Sequence, residues 1–293
     1  MPTGKIIKAL SGFYYVKSGN QIFQCRGRGV FRKRKITPLV GDEIEFEESN
    51  PNEGYILDIK QRKNELKRPP VANVDQAIIV VSAAEPDFHP FLLDRFLVLV
   101  ESKHIEPAIC VTKMDLVKEK QEELVASYIE DYKNLGYEVV AGSSKNEGGI
   151  HEVLPLFQDK TSVIAGQSGV GKSSLLNAIH PDLNIETNDI SHSLGRGKHT
   201  TRHIELIEMN GGLVADTPGF SSLDLTEIEL EELSSCFPEM VKRQNSCKFR
   251  GCLHLNEPRC AVKEAVDTNQ IPSYRYDSYL QIAEEIKNRK PRY

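Results

Sequence analysis

Nine residues past the middle of the chain, GQSGVGKSS from Gly166 to Ser174, have the types and spacing to hold a polyphosphate. Gly166-x-x-x-x-Gly171-Lys172-Ser173 fits the phosphate-loop pattern in full, with an apolar strand-like run before it and a helical run after it. The glycines allow successive backbone N–H groups to turn inward on phosphate oxygens, and the helix N-terminus adds favourable potential. Lys172 would reach the β- and γ-phosphates, and the Ser173 hydroxyl would ligate Mg²⁺. Gln167, Ser168, Gly169, Val170 and Ser174 complete the candidate loop. An ordinary glycine-rich strand–helix turn is the competing reading.

Such a loop does not say which base is bound. Thr112-Lys113-Met114-Asp115 follows the apolar run PAICV and resembles the Asn-Lys-x-Asp motif of GTPases. In that motif the carboxylate accepts from guanine N1–H and N2–H₂, and the lysine stem lies over the ring. Adenine lacks both donors, so Asp115 selects guanine. Thr112 departs from the usual Asn, and its hydroxyl replaces only part of the amide's hydrogen bonding. Gly142-Ser143-Ser144-Lys145 resembles the Ser-Ala-Lys loop that supports guanine O6. Asp216-Thr217-Pro218-Gly219 resembles Asp-x-x-Gly, in which the Asp holds a Mg²⁺-bound water and the Gly N–H touches the γ-phosphate. Any one of these three reads equally well as a surface turn; with the phosphate loop, four motifs at strand ends do not.

A second cluster has different chemistry. Cys247-x₄-Cys252-x-His254-x₅-Cys260 puts three thiols and an imidazole within 14 residues. Three thiolates and one imidazole make a closed tetrahedral Zn²⁺ site, structural because no position remains for water. Disulfide and iron–sulfur readings have no other support in the sequence. Cys25, Cys110 and Cys236 lack comparable neighbours and read as packing residues.

The elements that must position these residues come in two patterns. Residues 1–66 alternate five short apolar runs with turn signals: GKIIKAL, FYYVKSG, QIFQCRG, DEIEFEE and GYILDIK. That predicts a small antiparallel barrel. KRPPVANVD (67–75) reads as a linker. Strands then alternate with helices: AIIVVSA (77–83), PAICVTK (107–113), YEVVAG (137–142), SVIAG (162–166), HIELIEM (203–209) and LVADTPG (213–219). Helical periodicity in FLLDRFLVLVESK, KEKQEELVASYIEDYKNLG and KSSLLNAIH implies a mostly parallel sheet covered on both faces. Residues 226–293 read as helical around the cysteine cluster.

The motif order is unusual. In an ordinary GTPase the phosphate loop comes first, then Asp-x-x-Gly, then the base readers. Here the base readers at 112–115 and 142–145 precede the phosphate loop, and 216–219 comes last. The cyclic order is kept and only the cut has moved, with NEGGIHEVLPLFQDK joining the old termini, as circular permutation allows. The fold class is therefore multidomain: an all-β barrel (1–66), a circularly permuted α/β P-loop GTPase domain (67–224), and a mostly α-helical zinc-binding domain (225–293).

Charge points to a polyanionic partner. Residues 1–66 hold 12 Lys/Arg against 8 Asp/Glu, a balance of +4 within a chain of net −5, so the remainder carries −9. The candidate RNA-binding residues Arg26, Arg28, Arg32, Lys33, Arg34 and Lys35 lie in one ten-residue run with Phe31, near Tyr14 and Tyr15. The C-terminal KNRKPRY adds four more cations. No run of 18 apolar residues occurs and no signal peptide opens the chain, so the expectation is a cytoplasmic protein with no membrane partner. Nothing suggests an obligate interface, and a monomer is expected.

Taken together, these residues resemble the small-ribosomal-subunit biogenesis GTPases, the circularly permuted RsgA family, over essentially the whole chain. The resemblance implies that the barrel (1–66) is an OB fold that binds RNA, with hydrolysis of GTP to GDP and phosphate with Mg²⁺, one structural Zn²⁺ on the four ligands above, contact between the first domain and small-subunit rRNA, and stimulation by the subunit. It also implies a switch in SHSLGRGKHTTRH (191–203), where Thr201, or its neighbour Thr200, closes on Mg²⁺ with Ser173 and Asp216. His199 then positions the attacking water, because Phe220 stands where many GTPases place a Gln. With Asp216–Gly219 about 28 residues before Cys247, a γ-phosphate-dependent shift is expected to pull on the zinc domain. Two rivals remain open: a P-loop kinase or ATPase, which Asp115 opposes, and an RNA-binding scaffold that GTP only locks.

Overall fold

The computed structural model describes residues 1–29, 31, 36–143, 151–183, 204–216 and 224–289. Strands β1 (Thr3–Leu10), β2 (Phe13–Ser18), β3 (Gln21–Gly27), β4 (Glu43–Asn50) and β5 (Glu53–Ile59) form the N-terminal barrel. They pair in the order β1-β2-β3-β5-β4, and β4 closes on β1 with Gly4 opposite Ile44. Period-two alternation sends Ile6, Val16, Phe23, Cys25, Ile44, Phe46 and Ile56 inside. Asp42 is fully buried and accepts from Arg62 Nε at 2.7 Å and Nη2 at 2.8 Å, a bidentate clasp on the barrel's exit.

The stretch expected to be a plain linker is more ordered than that. Strands β6 (Glu65–Lys67) and β7 (Pro70–Ala72) form a hairpin turning at Arg68-Pro69, and the Ala72 N–H donates to the Val40 carbonyl at 2.8 Å. The Pro pair occupies the turn and the first position of β7, where a ladder tolerates a missing donor.

The second body is a doubly covered sheet. Its strands are β8 (Gln76–Ser82), β9 (Glu106–Thr112), β10 (Glu138–Ala141), β11 (Thr161–Ala165), β12 (Glu205–Met209) and β13 (Gly212–Asp216). The order is β10-β9-β8-β11-β13-β12, parallel except for the β12–β13 hairpin. Every residue of β8 and β11 is buried, which explains their continuous apolar runs.

Helices α1 (Pro90–Glu101), α2 (Glu119–Leu135) and α3 (Lys172–Ile179) cover the sheet. Alternation along β8 divides the core. Ile78 and Val80 face a layer with Val170, Leu175 and Phe157, whereas Ala77, Ile79 and Val81 face the layer containing Leu93, Phe96, Val125 and the C-terminal helices. The latter are α4 (Leu230–Leu233), α5 (Pro238–Val241), α6 (Ala261–Asp267) and α7 (Ser273–Lys287).

The two joints to the sheet differ. The barrel adds its β1 to the edge strand β12, with Lys8 opposite Glu205, so one sheet of 11 strands runs through both bodies. The C-terminal part docks α7 on α1 through Arg275, which donates to Asp94 Oδ1 at 2.5 Å, Glu239 Oε1 at 2.7 Å and the Tyr137 hydroxyl at 2.8 Å. Among the described residues, no helix is long and apolar enough to cross a membrane.

Candidate nucleotide site and metal cluster

Five parallel strands end on the same side of the sheet, and the candidate motifs follow four of them. The strand order reverses between β8 and β11, the crevice where open α/β sheets hold ligands. The phosphate loop leaves β11 there. Gly166, at φ 138°, passes so close to β8 that a Cβ would sit 2.2 Å from the Val80 carbonyl oxygen, so no other residue fits. Gly169 and Gly171 also hold left-handed φ, at 82° and 93°, and Gly171 caps α3. Lys172 Nζ rests on the carbonyls of Gly166 (2.9 Å) and Gln167 (2.6 Å). Burial lowers its pKa from the ordinary lysine value, and an arriving phosphate would relieve that cost. Ser173 and Ser174 form the first turn of α3.

The substituted position in the base-reading motif has a structural task. Thr112 ends β9 and is buried; its hydroxyl lies 2.5 Å from the Val170 carbonyl and 3.1 Å from that of Val81. A single proton therefore ties the base-reading turn to the phosphate loop across the end of β8. Lys113 then takes a left-handed φ of 57°, and Met114–Leu116 form a 3₁₀ turn that carries Asp115. Lys113 Nζ donates to the Glu85 carbonyl. Ser143 lies buried just beyond β10.

Asp216 is the last residue of β13, on the far side of β11 from Thr112. Ser144, Lys145, His199, Thr200, Thr201, Gly219 and Phe220 lie outside the described residues. The sequence reading missed Glu85, which no motif flags, and the Thr112–Val170 bond, because it treated Thr112 only as a weakened Asn.

The four metal-type ligands converge. Their ligand atoms all lie within 4.8 Å of one another. His254 Nδ1 is 3.3 Å from Cys260 Sγ and 3.6 Å from Cys247 Sγ, and the sulfurs of Cys247 and Cys260 are 4.0 Å apart. Tetrahedral zinc, with bonds of about 2.3 Å to sulfur and 2.0–2.1 Å to nitrogen, requires edges of roughly 3.6–3.8 Å. The cluster fits, and the sulfurs are too far apart for disulfides. Burial first, with the neighbouring Cys260 and Cys247 adding, pushes the Cys252 thiol up to about 12, so a cation is what would hold these thiols as thiolates. The Tyr276 hydroxyl donates to the His254 carbonyl at 2.7 Å, and Glu257 accepts from Leu253 N (2.9 Å) and Leu255 N (2.8 Å), fixing the knuckle. Cys25, Cys110 and Cys236 are buried and outside any disulfide, with thiol pKa values raised to about 11, 12 and 12, chiefly by burial, as packing residues should be.

On the barrel, Arg26 lies at the end of β3 with its guanidinium 4.7 Å from the Phe13 ring centre, and Arg28 pairs with Glu47. Tyr55 stands beside Arg26 on β5 and is 41% exposed. A ring–cation row on a barrel wall suits nucleobases and phosphates. Arg32, Lys33, Arg34 and Lys35 lie outside the described residues.

Comparison with known proteins places this geometry. Residues 3–56 match the model of the RsgA N-terminal domain, and residues 59–226 match that of the RsgA GTPase. A small ribosomal subunit biogenesis GTPase RsgA of Geobacillus sp. (strain WCH70) is 63% identical over 293 residues, covering all of both chains. That of Bacillus subtilis (strain 168) is 60% identical, again over the full length of both. Among solved structures, that of YloQ, a circularly permuted GTPase, superposes with a TM-score of 0.87 at 56% identity, covering 100% of this chain and 97% of its own. YjeQ from Thermotoga maritima also gives 0.87, at 36% identity and 99% coverage of each chain.

Proposed function

Because the chain belongs to the RsgA family of circularly permuted GTPases, we propose that it reads guanine and phosphate across the β8–β11 crevice and spends GTP in small-subunit maturation. The chain is a GTP hydrolase, a P-loop enzyme acting on a phosphoric anhydride. Its role is in biogenesis of the small ribosomal subunit, and that subunit is its partner. We place it in the cytoplasm, as a monomer that engages rRNA and is stimulated by the subunit.

The observation that carries the reading is the Thr112–Val170 hydrogen bond of 2.5 Å. It supports one ligand spanning both motifs although the chain encodes them in reversed order. Residues 166–174 cradle the phosphates, with Lys172 on the β- and γ-oxygens. Thr112, Lys113, Met114 and Asp115, with Ser143, Ser144 and Lys145, form the base pocket. Ser173, Thr201 and Asp216 are the Mg²⁺ residues, Gly219 meets the γ-phosphate, and His199 positions water. Cys247, Cys252, His254 and Cys260 hold Zn²⁺, whose chemistry is to lock the knuckle. Arg26 and Arg28, and the run Arg32–Lys35, face rRNA.

GTP turnover with and without small subunits tests this. Stimulation on the order of 10³–10⁵-fold is expected when a GTPase site is completed in trans. Asp115→Ala should abolish the preference for GTP over ATP. A His199→Ala variant stimulated as strongly as the parent removes that residue from the mechanism, and a subunit that leaves turnover unchanged removes the partner.

A further inference from the structure

The base-reading lysine is tied to a segment outside its own motif. Lys113 leaves β9 with a left-handed φ, and its ammonium donates to the main-chain carbonyl of Glu85, itself left-handed at φ 55°. Glu85 lies in the loop after β8, three residues past Ser82 and four before the cap of α1. With Nζ fastened there, the methylene stem is restricted in the rotamers it can take. A restrained stem offers a ready apolar surface; a free one samples many rotamers and must be ordered when a base arrives.

The Glu85 loop is held in turn by the C-terminal helix. Phe88 stacks on Tyr128 of α2 with centres 5.1 Å apart and planes at 14°, and Tyr128 meets Tyr274 of α7 edge-on at 5.1 Å and 84°. The Tyr274 hydroxyl donates to Asp131 Oδ2 at 3.2 Å. One residue further, the fully buried Arg275 fixes α7 to Asp94 of α1, while the Tyr132 hydroxyl donates to the same Asp94 oxygen at 2.6 Å. These contacts all lie on the layer of the sheet that carries α1 and α2; the phosphate-loop helix α3 lies on the other.

From this geometry we infer that Glu85, through its carbonyl, is a positioning residue for Lys113, and that α7 sets guanine-nucleotide affinity by holding the Glu85–Phe88 loop through the Tyr128–Tyr274 ring stack. The inference rests on the reading that Lys113 lies along the purine face. It makes the C-terminal domain answer to the guanosine half of the ligand, common to GDP and GTP, beyond any pull from the γ-phosphate end.

Calorimetric titration of GDP and of a non-hydrolysable GTP analogue into the full-length protein tests it. Tyr274→Ala should raise Kd for both by the same factor, about 5–20-fold, within the range of site-to-site couplings. Tyr274→Phe keeps the ring and should stay within about twofold. Phe88→Leu, at the other end of the stack, serves if Tyr274→Ala does not fold. In a Lys113→Ala background, Tyr274→Ala should add almost nothing, whereas a merely structural role gives additive losses. Unchanged Kd values, a loss confined to the GTP analogue, or additivity with Lys113→Ala would each overturn the inference. Asp115→Ala tests the underlying reading separately, because it must weaken both nucleotides whatever Tyr274 does.

Discussion

The barrel meets the central sheet through a strand pairing, the Lys5–Thr161 hydrogen bond (3.0 Å) and ion pairs that water reaches, among them Lys8–Glu205 and Lys17–Glu208, with side-chain exposures of 27%/35% and 37%/69%. A cleft of ≈ 890 Å³ opens beside them, lined in part by Lys5, Lys17, His180 and Glu208. The C-terminal helix meets the sheet through Arg275, fully buried between Asp94 and Glu239, with the Phe237 ring 4.4 Å from its guanidinium carbon. The ion pairs of the first joint tolerate solvent. The charges of the second must stay paired in a dry setting. One chain thus carries a barrel joined through solvated charges and a C-terminal module, with the Cys247–Cys260 cluster, joined through buried ones.

The sharpest way to break the contrast is to remove Arg275. Arg275→Ala leaves two buried carboxylates uncompensated, and among the described residues Asp94 Oδ2 and Glu239 Oε2 already lack hydrogen-bond partners. A loss of about 3–5 kcal/mol in denaturant unfolding is expected. Replacing all three with apolar residues, Arg275→Met with Asp94→Leu and Glu239→Leu, should recover most of it. On the barrel side, Lys8→Ala should cost no more than about 1 kcal/mol, and less at high salt, because its pair is solvated and screened. A loss there as large as that of Arg275→Ala would erase the distinction.

A further effect concerns pH. Burial, with the Glu239 charge adding and Arg275 opposing, pushes the Glu101 carboxyl from 4.5 to about 7. A raised carboxyl pKa means that the folded state holds its proton longer, so stability falls as pH rises from 4.5 through about 7. Glu101→Gln should flatten that part of the Tm–pH profile, and a steeper profile in the variant would contradict the assignment.

The same contrast shows what the sequence made legible. The phosphate loop and the zinc ligands are local: fixed residue types at fixed short spacings, so the pattern alone brings them together. The barrel and the sheet were legible because alternating and continuous apolar runs report which faces are buried. Arg275 was not, because SYRYDSYLQIAEEIK reads as a solvated helix and the partner Asp94 lies 181 residues away. Glu85 was missed because it acts through its carbonyl, which every residue has. The β6–β7 hairpin reads as a linker in sequence because its strands are three residues each and a Pro pair sits at the turn between them.

The strand order also bears on how the chain is made. β8 has β9 on one side and β11 on the other, and all seven of its residues end up buried. β9 follows within 30 residues of Ser82, but β11 is complete only at Ala165. At synthesis rates of about 5–20 residues per second, the apolar flank of β8 waits roughly 4–17 s for its second neighbour. Moving the cut thus gives the nascent protein an interval in which its central strand is an open edge, a hazard that an unpermuted chain, beginning at the phosphate loop, distributes differently.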